Sequence, residues 1–160
     1  AAGVLAYLQF FYSPLTGELE FFGVDQRHES DIEGLGRIPS EQQLKSKKVP
    51  SFNVIGNSPL VLRESLLDEV YKMGENFVEA AKRVVSPGMN GPFCIEGVYD
   101  ENAKFTSFEF SARIVAGTNI YMDGSPYYSL LFNENMSMGK RIAREIKIAE
   151  EKNEIEKIVT

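Results

Sequence analysis

Two short apolar and aromatic runs near the middle of the chain, each interrupted by a carboxylate, predict a β-hairpin. Residues 93–98 and 105–112 are rich in aromatic and other strand-forming side chains, and the turn-like segment 100–103 separates them. One carboxylate interrupts each run, Glu96 in the first and Glu109 in the second. A two-residue loop places both acids on one face of the sheet, whereas a three-residue loop separates them. Spacing alone leaves both arrangements open.

The same kind of pattern predicts strands elsewhere in the chain. Residues 4–12 and 18–24 are strand-like and flank a strong turn signal at 13–17, so we expect a second antiparallel hairpin whose aromatic side chains enter the core. The apolar run at 49–62 ends in a loop signal at residues 56–59. Residues 118–128 are expected to form another loop or a broken strand.

Helices are predicted where apolar positions recur at steps of three and four. The longest covers residues 63–85 and stops at the Ser-Pro-Gly sequence 86–88. A capping box beginning at Ser40 opens a short helix, and Ser137 opens a final one. The long helix has the apolar stripe Leu66, Val70, Met73, Phe77, Ala81 and Val84.

The final helix combines an apolar stripe with a basic face. Ile142, Ile146 and Ala149 are expected to face inward. Its basic residues are expected to be mostly solvated: Lys140, Arg141, Arg144 and Lys147. Hairpins with helices packed on them predict an α+β fold with a largely antiparallel sheet, in a single domain over residues 1–160.

Composition narrows the class of protein. The 160 residues are 43% hydrophobic and 25% charged, which is ordinary for one soluble domain. A net charge of −6 argues against nonspecific nucleic-acid binding, which relies on a basic surface. No apolar run approaches the ~20 residues of a membrane-spanning helix. We therefore expect a cytoplasmic protein that engages neither nucleic acid nor membrane.

Two further features bear on chemistry and completeness. The lone cysteine, Cys94, excludes an intrachain disulfide, and its apolar strand predicts a buried structural thiol. His28 is the only histidine and has no partner motif, so a surface position is expected. The chain starts at Ala1 and enters a strand pattern at once, which predicts a fragment of a longer protein.

The second strand of the acidic hairpin carries the clearest candidate chemistry. Alternation places Glu109, Ser111 and Arg113 on one face, so that an acid, a hydroxyl oxygen and a permanent cation line one edge. A hard divalent cation such as Mg²⁺ would turn the repulsion between Glu109 and a facing Glu96 into attraction. The alternative is that one of the acids points to solvent. Asn57 likewise is either a turn residue or an amide directed at a ligand.

The E-x-S-x-R element at residues 109–113 resembles the metal-binding hairpin of the ATP-grasp superfamily, whose usual form is E-x-N-x-R; Ser111 replaces the Asn. Over essentially all 160 residues the chain is similar to the C-terminal half of the archaeal PurP family. The segments that carry this likeness include Phe11-Tyr12-Ser13-Pro14, Gly56-Asn57-Ser58-Pro59, Arg63-Glu64-Ser65-Leu66-Leu67, Gly117-Thr118-Asn119 and Ser137-Met138-Gly139.

This resemblance implies a ligase of purine synthesis. Such an enzyme uses ATP and formate to convert AICAR, an aminoimidazole carboxamide ribonucleotide, into the formamido nucleotide FAICAR through formyl phosphate. By position in the family, Glu96 and Glu109 would bind Mg²⁺, with Mn²⁺ as an alternative. Glu29 would contact ATP, Asn57 would contact the aminoimidazole substrate, and Arg113 would act as a catalytic residue that neutralises phosphate.

The resemblance also implies what this piece lacks. The phosphate-binding lid and the adenine-holding hinge of the family lie N-terminal to the matched region, so the isolated piece is expected to be inactive. The whole protein is expected to be a homo-oligomer. The competing hypothesis is an ATP-grasp paralogue that uses another amine or serves a non-catalytic role in assembly.

Overall fold

A computed structural model describes residues 3–159 and contains a five-stranded antiparallel sheet. The spatial order of the strands is β3-β2-β1-β4-β5, and each neighbouring pair is antiparallel. The predicted α+β fold with an antiparallel sheet is confirmed. The strands are β1 Val4–Tyr12, β2 Leu19–Glu29, β3 Val54–Leu60, β4 Gly91–Tyr99 and β5 Phe105–Ser111.

Helices lie in the β2–β3 and β3–β4 connections and after β5, and they pack on both faces of the sheet. Across residues 3–159, no helix combines the length and apolar character needed to cross a bilayer. The α-helices are α1 Ile32–Gly36, α2 Ser40–Ser46, α3 Leu67–Val84, α4 Pro126–Phe132 and α5 Met138–Glu151. Short 3₁₀ segments occupy Glu64–Leu66, Ala116–Tyr121 and Ile155–Lys157.

The larger core lies between one face of the sheet and α3. Phe10 sits at its centre, with its ring centroid 5.0 Å from that of Phe93 and 5.4 Å from that of Phe21. The prediction that the aromatic residues of the N-terminal hairpin, β1 and β2, enter the core is confirmed. The buried aromatic residues are Phe10, Phe11, Tyr12, Phe21 and Phe22.

Most of the apolar stripe predicted for α3 packs on this core. Val70 is buried, and Met73, Phe77 and Ala81 lie against the core. Val84 is exposed, so its predicted burial is wrong. Helix α3 ends at this residue, and Ala81 is the last position of the stripe that packs on the core.

One loop prediction is wrong and another holds only in part. Residues 56–59 lie within β3, an edge strand that pairs only with β2 among the strands of the described sheet. Pro59 is compatible with such a strand because only one side of an edge strand takes part in the ladder. Within the predicted loop 118–128, only residues 122–125 form a turn, between the end of a 3₁₀ helix and the start of α4. Helix α2 does begin at Ser40, but the Ser40 side chain makes no capping bond.

Helix α5 buries charged residues where apolar ones were expected. Its buried positions are Met138, Arg141, Glu145 and Ala149, while Ile146 is exposed. Lys140, Arg144 and Lys147 are exposed, which confirms that the basic residues are mostly solvated, and Arg141 is the exception. The helix is rotated so that Arg141 and Glu145, one turn apart, face the sheet, where Glu20 of β2 supplies a second carboxylate.

The buried guanidinium of Arg141 is fully compensated by its neighbours. Its nitrogens lie 2.7 Å from Glu20 Oε1 and 2.8 Å from Glu145 Oε2, and its guanidinium lies 4.2 Å from the ring centroid of Phe11. Tyr128 Oη donates to Glu20 at 2.7 Å, and Ser13 Oγ donates to Glu145 at 2.6 Å. This network ties α5 and α4 to the centre of the sheet.

We expect Arg141→Ala to lower the free energy of unfolding by about 3–5 kcal/mol, because it leaves two buried carboxylates without a counter-charge. Arg144→Ala is the matched control. Arg144 lies one turn away and pairs with Glu134 at the exposed surface, so its loss should change stability by about 1 kcal/mol or less. Urea unfolding of the full-length protein measures both values, and similar effects of the two substitutions would contradict this account.

Candidate active site

A bulge in the acidic hairpin decides which side chains face one another. Tyr99 pairs with Phe105 and Gly97 with Ser107, which is the register of an odd-numbered loop. Of the two loop lengths left open by the sequence, the even-numbered one is therefore not formed. One additional residue of β5, Phe108, then shifts the ladder, and Glu96 pairs directly with Glu109. The two acids thus share a face, as the two-residue loop had predicted, but for a different structural reason.

The two facing carboxylates have different surroundings. Glu96 is only 2% exposed. Its carboxylate accepts two hydrogen bonds from the Arg27 guanidinium, at 3.1 and 3.2 Å, and one from Ser111 Oγ at 3.1 Å. Glu109 is exposed, and within residues 3–159 its side chain makes no ion pair or hydrogen bond. Arg27 therefore neutralises one acid and leaves the other available.

Arg27 is the functional candidate that the sequence did not reveal. It lies on β2, and its guanidinium sits 3.9 Å from the ring centroid of Tyr7 on β1. Burial raises the pKa of Tyr7 to about 12, although the charge of Arg27 opposes that shift. Strand β2 extends beyond the predicted residues 18–24 to Glu29. The alternation of Asp25, Arg27 and Glu29 was the signal that β2 continues to Glu29.

A buried carboxylate fixes the orientation of Asn57. Asp25 is fully buried and accepts hydrogen bonds from Asn57 Nδ2, at 2.6 Å, and from Gln9 Nε2. An ionised carboxylate can only accept, so the amide nitrogen of Asn57 must face Asp25. The carbonyl oxygen of Asn57 is then free to accept a hydrogen bond from a ligand. Gln9 Oε1 is buried without a hydrogen-bond partner in the part of the chain that the structure describes.

Glu96 and Glu109 border a cleft of about 710 Å³ on this side of the sheet, which we call the acidic cleft. Its charged lining consists of Arg27, Glu29, Glu33, Glu96 and Glu109. The backbone N–H of Glu29 donates to Glu33 Oε1 at 3.1 Å and thereby joins the end of β2 to α1. Tyr7, Phe52 and Phe108 contribute aromatic walls to the same cleft.

Three of the five predicted site residues line the acidic cleft: Glu29, Glu96 and Glu109. Asn57 lies beside it, directly opposite Arg27 across the β2–β3 ladder. Arg113 follows β5 in an exposed segment, and its guanidinium donates to the carbonyl of Ile114 at 2.8 Å. Because β5 ends at Ser111, the strand alternation used to align Arg113 with Glu109 does not extend that far.

The donor atoms around Glu96 and Glu109 fit a hard divalent cation. Two carboxylates and the hydroxyl of Ser111 offer only oxygen ligands, which Mg²⁺ prefers. Across residues 3–159, the structure contains no cluster of three or more His, Cys, Asp or Glu side chains arranged to hold a metal ion. That is compatible with Mg²⁺, which commonly binds one or two carboxylates together with waters and substrate phosphates. Mn²⁺ accepts the same oxygen donors.

The pKa of Asp25 predicts a pH dependence of stability. Burial raises this pKa above its ordinary value of 3.8, although hydrogen bonds from Gln9 and Asn57 oppose the shift. The folded state therefore holds the proton more tightly than the unfolded state. The resulting stabilisation is fully present below pH 3.8 and is lost as pH rises through the elevated folded pKa.

We expect the stability of the full-length protein, relative to Asp25→Asn, to decrease as pH rises from about 4 toward neutrality, because asparagine does not titrate. Urea unfolding of both proteins at a series of pH values gives this difference. A difference that stays constant or increases with pH would mean that Asp25 is not destabilised by burial.

Comparison with known proteins identifies the family. A family model described as a domain of unknown function, DUF1297, matches residues 1–160. The chain is 85% identical over 160 residues to a protein from Nitrosopumilus maritimus and 72% identical over 158 residues to one from Cenarchaeum symbiosum. Both are named 5-formaminoimidazole-4-carboxamide-1-(beta)-D-ribofuranosyl 5'-monophosphate synthetase.

A solved structure indicates the same family as these relatives. The crystal structure of the IMP biosynthesis protein PurP from Thermococcus kodakaraensis superposes with a TM-score of 0.83 at 38% identity, covering 99% of this chain and 50% of that one. The chain spans 47% and 46% of the two curated relatives, about half of their length. The chain therefore belongs to the DUF1297 family, which forms the C-terminal region of PurP.

Proposed function

We propose that this chain forms the metal- and nucleotide-binding part of an ATP-grasp ligase that makes FAICAR from AICAR, formate and ATP. The observation that carries the proposal is the direct pairing of Glu96 with Glu109 in a cleft that also contains Glu29 and Arg27. The names of the most similar relatives support the same reaction. Residues 1–160 cover about half of those proteins, so the complete activity belongs to a longer chain.

The proposed reaction has two group transfers. Formate oxygen attacks the γ-phosphorus of ATP, which yields formyl phosphate and ADP. The 5-amino group of AICAR then attacks the formyl carbon, phosphate leaves, and the nitrogen loses a proton to give FAICAR. The protein supplies little covalent chemistry in phosphoryl transfer, because positioning and charge neutralisation dominate its catalysis.

The proposed roles come from the likeness to the family, and the arrangement of Glu29, Glu96 and Glu109 in one cleft supports them. Glu96 and Glu109 would hold Mg²⁺ or Mn²⁺, which when bound would screen phosphate charge as a Lewis acid. Glu29 lies in the same cleft and would contact the nucleotide. The Asn57 carbonyl, oriented by Asp25, would accept a hydrogen bond from an N–H of the aminoimidazole substrate. Arg113, exposed after β5, would neutralise phosphate in the complete protein.

The remainder of the site is proposed to come from the rest of the full-length protein. That part would supply the adenine-holding hinge and the phosphate-binding lid, so the isolated 160 residues should not make product. We further propose a cytoplasmic homo-oligomer whose small-molecule substrates are formate and AICAR, with no role for nucleic acid or membrane. Product formation by the isolated chain would overturn the proposed division of labour.

The test is FAICAR formation by the full-length protein with ATP, formate, AICAR and Mg²⁺. We expect Glu109→Gln to reduce kcat/KM by about 100-fold or more, because it removes one of two anionic ligands from a site worth several kcal/mol. Glu101→Gln, an exposed acid in the turn of the same hairpin, is the matched control and should retain activity within about twofold.

Two other results would contradict the proposal. Equal activity of Glu109→Gln and Glu101→Gln would exclude the facing acids from the metal site. A wild-type protein that binds Mg²⁺-ATP but makes no FAICAR would instead support the paralogue hypothesis, with a different amine as substrate.

A further inference from the structure

Arg27 of β2 forms a two-point ion pair with Glu96 of β4 beside the acidic cleft. We propose that Arg27 is an exchangeable counter-ion: it neutralises Glu96 when the acidic cleft is empty, and it moves to the nucleotide phosphates when a divalent cation takes Glu96. This inference rests on the proposed function, since it assumes that Glu96 and Glu109 hold a metal and that the cleft receives a polyphosphate.

A buried Glu96 carboxylate without a counter-charge would carry a high free-energy cost. Its side chain is 3% exposed, so an uncompensated carboxylate there would be strongly destabilising. Arg27 supplies the compensation with a two-point contact, Nη1 to Oε2 and Nη2 to Oε1. A folded protein without ligand therefore needs a cation at Glu96, and the structure provides one from β2.

Arg27 and a divalent cation would compete for the same carboxylate oxygens of Glu96. Two guanidinium contacts and the Ser111 hydroxyl occupy three of the roughly four lone-pair positions that a carboxylate offers. A divalent cation at the remaining position would lie beside the guanidinium, and the repulsion between two cations on one carboxylate favours displacement of Arg27. Glu109, paired opposite and exposed, is positioned to receive the incoming cation first.

The acidic cleft gives the released Arg27 guanidinium a place to bind phosphate. The Arg27 side chain is 23% exposed, lines the acidic cleft and lies over the ring of Tyr7, which supports the guanidinium from the β1 side. Its planar, permanently charged fork suits phosphate oxygens. The other charged residues of the cleft lining are Glu29, Glu33, Glu96 and Glu109, which would repel a polyphosphate that arrived without a cation.

The exchange predicts effects of opposite sign for one substitution. In the full-length protein, we expect Arg27→Met to bind Mn²⁺ about tenfold more tightly than wild type in the absence of nucleotide, because a competitor for Glu96 is gone. The same variant should bind Mg²⁺-ATP about tenfold more weakly, because a phosphate contact is lost. A purely structural role for Arg27 would weaken both affinities together.

The measurements are electron paramagnetic resonance of free Mn²⁺ for the metal and calorimetric titration for Mg²⁺-ATP. Arg37→Met is the matched control: Arg37 is exposed, pairs with Glu33 at 3.6 Å, and lies outside the cleft lining. Both of its affinities should stay within about twofold of wild type. Arg27→Lys keeps the counter-charge for folding but lacks the fork, and it should shift both affinities in the same directions as Arg27→Met by a smaller factor.

The outcomes separate this inference from the proposed function. Unchanged or weaker Mn²⁺ binding in folded Arg27→Met overturns the exchange, and so does an unchanged Mg²⁺-ATP affinity. If Arg27→Met does not fold, Arg27→Lys decides by the same two readouts. Wild-type Mn²⁺ binding that does not depend on Glu109 would instead remove the metal site itself, and the exchange would fall with it.

Discussion

The pairing of Glu96 with Glu109 depends on one additional residue in a strand. The turn of the hairpin sets a register in which Gly97 faces Ser107, and continuing that register would place Glu96 opposite Phe108. Glu109 would then lie on the face that packs against α3. The bulge at Phe108 moves Glu109 back to the face of Glu96, and the acidic cleft depends on this one-residue correction. Gly97 permits it, since a Cβ at that position would lie 2.5 Å from the carbonyl oxygen of Thr106.

Once the acids share a face, the sheet has to accommodate buried charge. It does so with arginines that come from elements distant in sequence. Arg27 of β2 pairs with Glu96 of β4, and Arg141 of α5 pairs with Glu20 of β2. Buried ion pairs contribute little net stability, but removal of one partner is strongly destabilising. The two pairs differ in exposure: the Arg141 side chain is 5% exposed, whereas that of Arg27 is 23% exposed and reaches a cleft. Arg141 therefore fixes the fold, and Arg27 retains access to a ligand.

The sequence predicted the sheet, the long helix and the aromatic core because periodicity and side-chain type report directly on burial. It also selected the two acids of the hairpin. It did not predict how they come to face each other, since loop length and bulge position depend on backbone pairing that no local pattern encodes. It missed Arg27, and it did not single out Arg141 as the buried member of a mostly solvated basic face, for a related reason. A basic residue is buried only when its partner lies on another element, as Glu96 and Glu20 do, and a pattern within one segment cannot show that.

The central claim is that Glu96 and Glu109 form one cation site. Its most direct test is a crystal structure of the full-length protein with Mn²⁺ and a non-hydrolysable ATP analogue, in which anomalous scattering locates the metal. The account predicts an anomalous peak coordinated by carboxylate oxygens of both Glu96 and Glu109, with a nucleotide phosphate in contact with it. A metal bound only by other groups, with Glu96 still paired to Arg27, would contradict it.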